Sequence, residues 1–176
     1  MNRGYTAEHY LRLIEEARSK VKDITFTSDF IVGFPNETEE DFMETVELMR
    51  RVRFLNSFIF KYSPRPRTAA ARLPDNVPME VKRERNQILL KEQQRISEEN
   101  NRRFIEKTVE VLVEGRSKRN PAKLSGRTRG NHIVVFEGDE SLVGKLVRVR
   151  INAATALTLY GTCQITTPSP AGKPQR

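Results

Sequence analysis

From Met79 to Glu106 the chain contains neither glycine nor proline, and its apolar residues are spaced differently on the two sides of that stretch. Before it, apolar residues come in blocks that read strand, helix, strand. After it, they alternate with polar residues at a period of two. One layer arrangement cannot bury both patterns, so the chain is expected to divide into an α/β part and an all-β part. The stretch between them is rich in Glu, Lys, Arg and Gln, with Val81, Ile88, Leu89, Ile96 and Phe104 spread through it. It reads as a long amphipathic helix whose polar bulk suits a bridge between two bodies.

In the first part, Thr6 offers a helix cap, and Tyr10, Ile14, Ala17 and Val21 follow on one face. Residues 24–32 are rich in β-branched and aromatic types and end at Gly33-Phe34-Pro35, which reads as a strand stopped by a turn. Thr38 and Asp41 come close to a capping box, and Phe42, Val46, Met49 and Val52 form the stripe of the helix behind it. Phe54 to Tyr62 reads as a second strand. Strand, helix, strand with short connections implies parallel, buried strands.

In the second part, Val109, Val111 and Val113 alternate with polar or outward residues. Residues 133–136, 146–151 and 157–165 give three further β runs, and 123–128 adds a fifth. Glycines punctuate them. Short strands of this kind predict a small closed five-stranded barrel. The expected division is therefore 1–77 for the α/β part, 78–106 for the connecting helix, 107–167 for the barrel and 168–176 for a disordered tail.

Charge separates the two parts as well. From Lys107 onward there are 12 Lys/Arg and 5 Asp/Glu, against 19 and 18 before it, so most of the net +8 belongs to the last 70 residues. Concentrated positive charge favours polyanions through counterion release, and it also serves solubility. With 37% hydrophobic and 31% charged residues, no apolar run near the ~20 residues of a membrane span, and no apolar leader after Met1, a soluble cytoplasmic protein is expected. Cys163 is the single cysteine, which excludes an internal disulfide and an iron–sulfur site within this chain. His9 and His132 read as surface residues, and no P-loop or HExxH motif is present.

Three segments carry candidate chemistry. Asp29 to Phe42 places a strand end, a glycine that lets backbone approach a ligand, and a capped helix in succession; an ordinary strand–helix turn has the same pattern. Phe60 to Thr68 stiffens the chain with Pro64 and Pro66 and projects Arg65 and Arg67 at the ligand end of a parallel sheet. A proline-rich connector with solvated charges fits it equally. The third segment sets Arg116, Lys118, Arg119, Arg127 and Arg129 in turns beside strands, with Ser, Thr and Asn as further phosphate donors. Arg148 and Arg150 share a strand face by their spacing of two. Phe136 and Tyr160 offer stacking surfaces, although an aromatic in a strand is more often core than platform.

Met1 to Thr6, Ser28 to Phe42, Phe60 to Ala70, Gly126 to Gly138 and Leu159-Tyr160-Gly161 together resemble the radical S-adenosylmethionine methylthiotransferases. The Pro-Arg-Pro after Tyr62-Ser63 resembles the MiaB-type tRNA enzymes. In that family the segments read MNRGYT, TDIIVGFPGETEEDF, FKYSPRPGTPAA, GRTRxNxIVxFEG and LYG, in this order. The likeness covers nearly all of the chain up to about Ile165. It implies the last strands of a radical SAM (TIM-like) βα barrel, then a TRAM β-barrel.

The resemblance implies an enzyme with S-adenosylmethionine and two 4Fe-4S clusters, which adds a methylthio group to isopentenyladenosine beside the anticodon. An adenosyl radical abstracts a hydrogen, one cluster supplies sulfur, and a second S-adenosylmethionine supplies the methyl group. The CxxxCxxC motif and the auxiliary cysteines are absent here, so the chain alone is expected to be inactive and to need the N-terminal part of the same enzyme. A stand-alone RNA-binding module and a subunit of a split enzyme are the alternatives. The resemblance assigns Arg3, Asp29, Gly33, Phe34 and Pro35 to the cofactor wall, and the cations of the barrel to the tRNA anticodon arm. In two places the chain departs from the family's glycines: Asn36 follows Gly-Phe-Pro, and Arg67 follows Pro-Arg-Pro, with Ala69 in place of a proline. If the position of Arg67 needs positive φ, that loop is strained.

Overall fold

A computed structural model describes residues 4–164. They form two compact units, one of residues 4–103 with Thr155–Leu157, the other of Phe104–Ala154 with 158–164. Arg3 and the tail expected at 168–176 lie outside the described residues.

The first unit runs α1 (Ala7–Lys20), β1 (Thr27–Val32), α2 (Glu39–Val52), β2 (Asn56–Lys61), a 3-10 turn at Ala69–Arg72 and α3 (Met79–Arg102). Strands β1 and β2 are parallel, with Asp29 opposite Phe58 and Ile31 opposite Phe60. Thr38 starts α2 with a complete capping box: its Oγ1 accepts from the Asp41 N–H at 3.1 Å, and the Asp41 carboxylate accepts from the Thr38 N–H at 2.9 Å. That backbone bond holds the Asp41 carboxyl below its usual range. The four stripe residues Phe42, Val46, Met49 and Val52 are all buried, packed with Phe30, Val32 and Phe54. Helix α1 buries only Ile14 of its expected face, and Val21 lies past the helix end, exposed.

Helix α3 packs along the first unit. Its inner stripe is mixed: Leu89 and Ile96 join the core, while Lys82, Arg85, Gln93 and Ser97 are buried beside them. Lys82 is paired with Asp75 and Arg85 with Glu37 and Glu39, while other polar residues of the helix are spent on backbone. Gln93 Nε2 donates to the Phe54 carbonyl at 3.0 Å, Ser97 Oγ to that of Leu55 at 3.2 Å, and Asn86 Nδ2 to that of Ile59 at 2.9 Å. A helix beside a sheet usually meets it with aliphatic residues. Here it supplies side-chain donors to carbonyls that no third strand takes up within the described residues. The opposite face of the sheet is open, with Phe58 63% and Phe60 52% exposed.

The second unit is the expected closed barrel. Its strands are β3 (Thr108–Arg116), β4 (Leu124–Thr128), β5 (Ile133–Glu137), β6 (Leu146–Ala154) and β7 (Leu159–Gln164), in the order β3-β4-β5-β7-β6. Only β5 and β7 pair in parallel. Alternation drives Val111, Val113, Leu124, Val134, Phe136, Val149, Ile151 and Leu159 inward to form the core. Two glycines allow the strands to close: a Cβ on Gly126 would stand 2.2 Å from the Leu112 carbonyl oxygen, and one on Gly161 2.2 Å from that of Arg150.

Candidate nucleic-acid interface

At the end of β1 the backbone turns through Gly33, whose φ is +70°. The space beside its Cα, expected to admit a ligand, is filled by Lys82. A Cβ there would meet Lys82 Cγ at 2.3 Å. The Gly33 N–H donates to Glu37 Oε2 at 2.7 Å, and Arg85 donates to the same oxygen at 2.7 Å. Phe34 packs edge-on to Tyr62 at 5.2 Å, and Pro35 is buried. Asp29 is exposed on the open face beside Phe58, four residues back, or about 13 Å along an extended strand. Among these residues Asp29 alone offers a group free to meet a small ligand. A cluster-bound metal finds no fit in this chain, whose one thiol, Cys163, sits half-buried against the barrel core and is pushed up in pKa by burial.

Arg65 is exposed in the loop after β2, with no ion pair among the described residues. Asn36 and Arg67, standing where the family has glycine, take φ of +66° and +68°. Asn36 is held there by Asn76, whose Oδ1 accepts from the Asn36 N–H at 2.9 Å and whose Nδ2 donates to Asn36 Oδ1 at 2.8 Å. No such bond supports Arg67 among the described residues.

On the barrel, several of the candidate cations meet at one cleft of about 530 Å³. Arg116, Lys118, Arg119 and Arg127 line it, and so does Lys123, which the sequence reading did not single out. The segment between β3 and β4 forms one wall. It is fastened by Ser117 N–H to the Lys123 carbonyl at 2.9 Å, and by Arg116 Nη1 to the Pro121 carbonyl at 2.8 Å. Arg116 Nε and Nη2 also donate to the Glu140 carboxylate, each at 3.1 Å, so Arg116 acts as a brace. Arg127 is held by Asn131 Oδ1 at 3.0 Å and Glu114 at 3.4 Å. Lys118 and Arg119 are exposed and have no ion pair among the described residues. These two carry the uncompensated charge of the cleft.

The remaining candidates lie elsewhere on the barrel. Arg129 stands in the β4–β5 turn, exposed. Arg148 and Arg150 project outward from β6, and Arg150 is paired with Glu106. Phe136 is a core residue and offers no platform, whereas Tyr160 is half-buried in the cleft. His132, read as a surface residue, is instead buried, its ring 4.5 Å from that of Phe104. Its position next to the Thr128–Asn131 turn hid this in the sequence. Burial lowers its pKa.

A closed five-stranded barrel with a cationic cleft, following parallel βα units, is the architecture of a TRAM-bearing radical SAM chain. The family descriptions agree: the TRAM domain matches residues 102–163, and the Radical SAM superfamily matches residues 1–49. Over 92% of its length the chain is 53% identical to the tRNA-2-methylthio-N(6)-dimethylallyladenosine synthase of Acetivibrio thermocellus, of which it covers 34%. It is 52% identical to the enzyme of that name from Thermoanaerobacter sp. (strain X514), covering 34%, and 50% identical to that from Moorella thermoacetica, covering 36%. The chain is similar over 92% of its length to MiaB-type tRNA methylthiotransferases and carries matches to both the Radical SAM superfamily and the TRAM domain. It spans about a third of the length of the curated relatives it matches.

Proposed function

We propose that this chain supplies the tRNA-holding barrel and part of the catalytic barrel wall of an enzyme that adds a methylthio group to isopentenyladenosine next to the anticodon. In this reading, residues 1–77 belong to the catalytic barrel, 78–106 connect, and 107–167 bind the anticodon arm in the cytoplasm. The observation that carries it is the cleft on the barrel, where Lys118 and Arg119 present unpaired charge from a braced wall. Charge of this kind attracts phosphates and fixes a backbone without reading sequence. Arg127, Arg129, Arg148 and Arg150 extend the same role around the barrel, and Arg65 adds to it from the loop after β2.

The whole enzyme would carry S-adenosylmethionine and two 4Fe-4S clusters. The clusters would be held by cysteines of its N-terminal part, since this chain has no set of thiolates to hold one. S-adenosylmethionine, when bound, would supply the radical and the methyl group. The residues here contribute Asp29 as an acceptor beside the aromatic face of Phe58, with Arg3 near the start of the chain. The exposed Phe58 and Phe60 support the reading that the N-terminal part of the same enzyme covers this face. A test is binding of a tRNA anticodon stem-loop by the chain and by a Lys118→Glu/Arg119→Glu variant. The reading expects the double variant to bind at least tenfold more weakly with an unchanged unfolding midpoint. Equal binding would remove the cleft from the function.

A further inference from the structure

Strand alternation should leave the outside of the barrel polar, yet one part of it is apolar and recessed. Leu124, Val134, Phe136 and Leu159 point into the core, so their neighbours Ile133, Val135 and Tyr160 point out. In register, Ile133 lies opposite Arg127, and Val135 lies between Ser125 and Tyr160. Val135 is only 8% exposed although it is on the outer side. The 117–123 segment walls in this patch, and the patch is the floor of the cationic cleft.

From this geometry we infer that the cleft takes one unstacked nucleotide of a single-stranded RNA, its base on the Tyr160 floor and its phosphates on Lys118 and Arg119. A duplex backbone offers only phosphates and sugars, for which a flat basic surface suffices. An apolar recess beneath fixed cations suits a base together with its phosphate, because every base has a face that stacks on an aromatic ring. The volume of about 530 Å³ lies within the range of sites that enclose a small ligand. The wall is preorganised by the Arg116–Glu140 and Arg116–Pro121 bonds, so little ordering is needed on binding. This inference rests on the RNA-binding reading above and narrows it to a loop nucleotide rather than a stem.

The test uses the full chain with a single-stranded RNA hexamer carrying 2-aminopurine, and a blunt RNA duplex of the same strand length. The hexamer is expected to bind more tightly than the duplex, and its fluorescence to change on binding. Tyr160→Leu, which keeps apolar volume, should weaken hexamer binding by about 5- to 150-fold, the range for losing one stacked base. Tyr160→Phe should bind as the parent does, and both variants should keep the parent's salt dependence. Ile133→Glu, which places a charge on the floor from a different strand, should also weaken the hexamer selectively and serves should the Tyr160 variants fold poorly. Equal affinity for hexamer and duplex, or folded Tyr160→Leu and Ile133→Glu chains that bind the hexamer normally, would overturn the nucleotide site while leaving RNA binding intact. Absence of salt-dependent binding to either RNA would overturn both readings.

Discussion

The stem of Lys82 occupies the space where Gly33 would carry a side chain, 2.3 Å from Cγ to the place of a Cβ. Lys82 is itself buried, with its ammonium 2.5 Å from Asp75 and 5.2 Å from the centre of the Tyr62 ring. The glycine that in sequence marks a ligand turn therefore also locks α3 against the end of β1. Gly33→Ala combines a left-handed backbone with a displaced lysine, and should destabilise the first unit by about 2–4 kcal/mol. Gly144→Ala, also at positive φ but facing open space, should cost only about 1–2 kcal/mol. Denaturant midpoints of the two variants separate the backbone cost from the clash.

Arg67 holds φ at +68° with an exposed side chain and no ion pair among the described residues. Arg67→Gly removes the left-handed cost of about 1–2 kcal/mol, and part of that gain is offset by the freedom of glycine in the unfolded chain. A net stabilisation of about 0.5–1 kcal/mol is expected, read as a rise in the unfolding midpoint. The matching change Asn36→Gly should give no such gain, because it also deletes the Asn76 amide pair.

These two positions show how much could be read directly. The left-handed turn at 67 was legible because family glycines mark it. The stripe of α2 was legible because its four core residues are all apolar at one period. The inner face of α3 was not, since Lys82, Arg85, Gln93 and Ser97 look like a solvated surface until the carboxylates and carbonyls they serve are seen. In the barrel, charge pointed to Arg116, Lys118, Arg119 and Arg127 before their geometry did. The roles differ, however: Arg116 is a brace bound to Glu140, and only the three-dimensional pairing distinguishes it from Lys118.

His132 gives the barrel a pH-dependent term. Burial disfavours its imidazolium, so its folded pKa lies below the ordinary value of about 6.5. Above that value both states are neutral and the term vanishes. Below it the unfolded chain binds a proton that the folded ring refuses, so stability falls as pH falls until the folded ring also protonates. The barrel's melting midpoint should therefore drop on going from pH 7.5 to 5.5. In His132→Gln that component should be missing, which a pair of thermal scans would check.

In the proposed function the barrel holds RNA by phosphate contacts. The most direct measurement is the affinity of the chain for a tRNA anticodon stem-loop across a salt series, repeated with Arg127→Ala/Arg129→Ala. Log K should fall linearly with log salt by about 0.7–0.9 for each phosphate contacted, and the double variant should lose about two such contacts from the slope. A slope that is the same in both proteins would contradict the assignment of these two residues, and a slope near zero would contradict the claim itself.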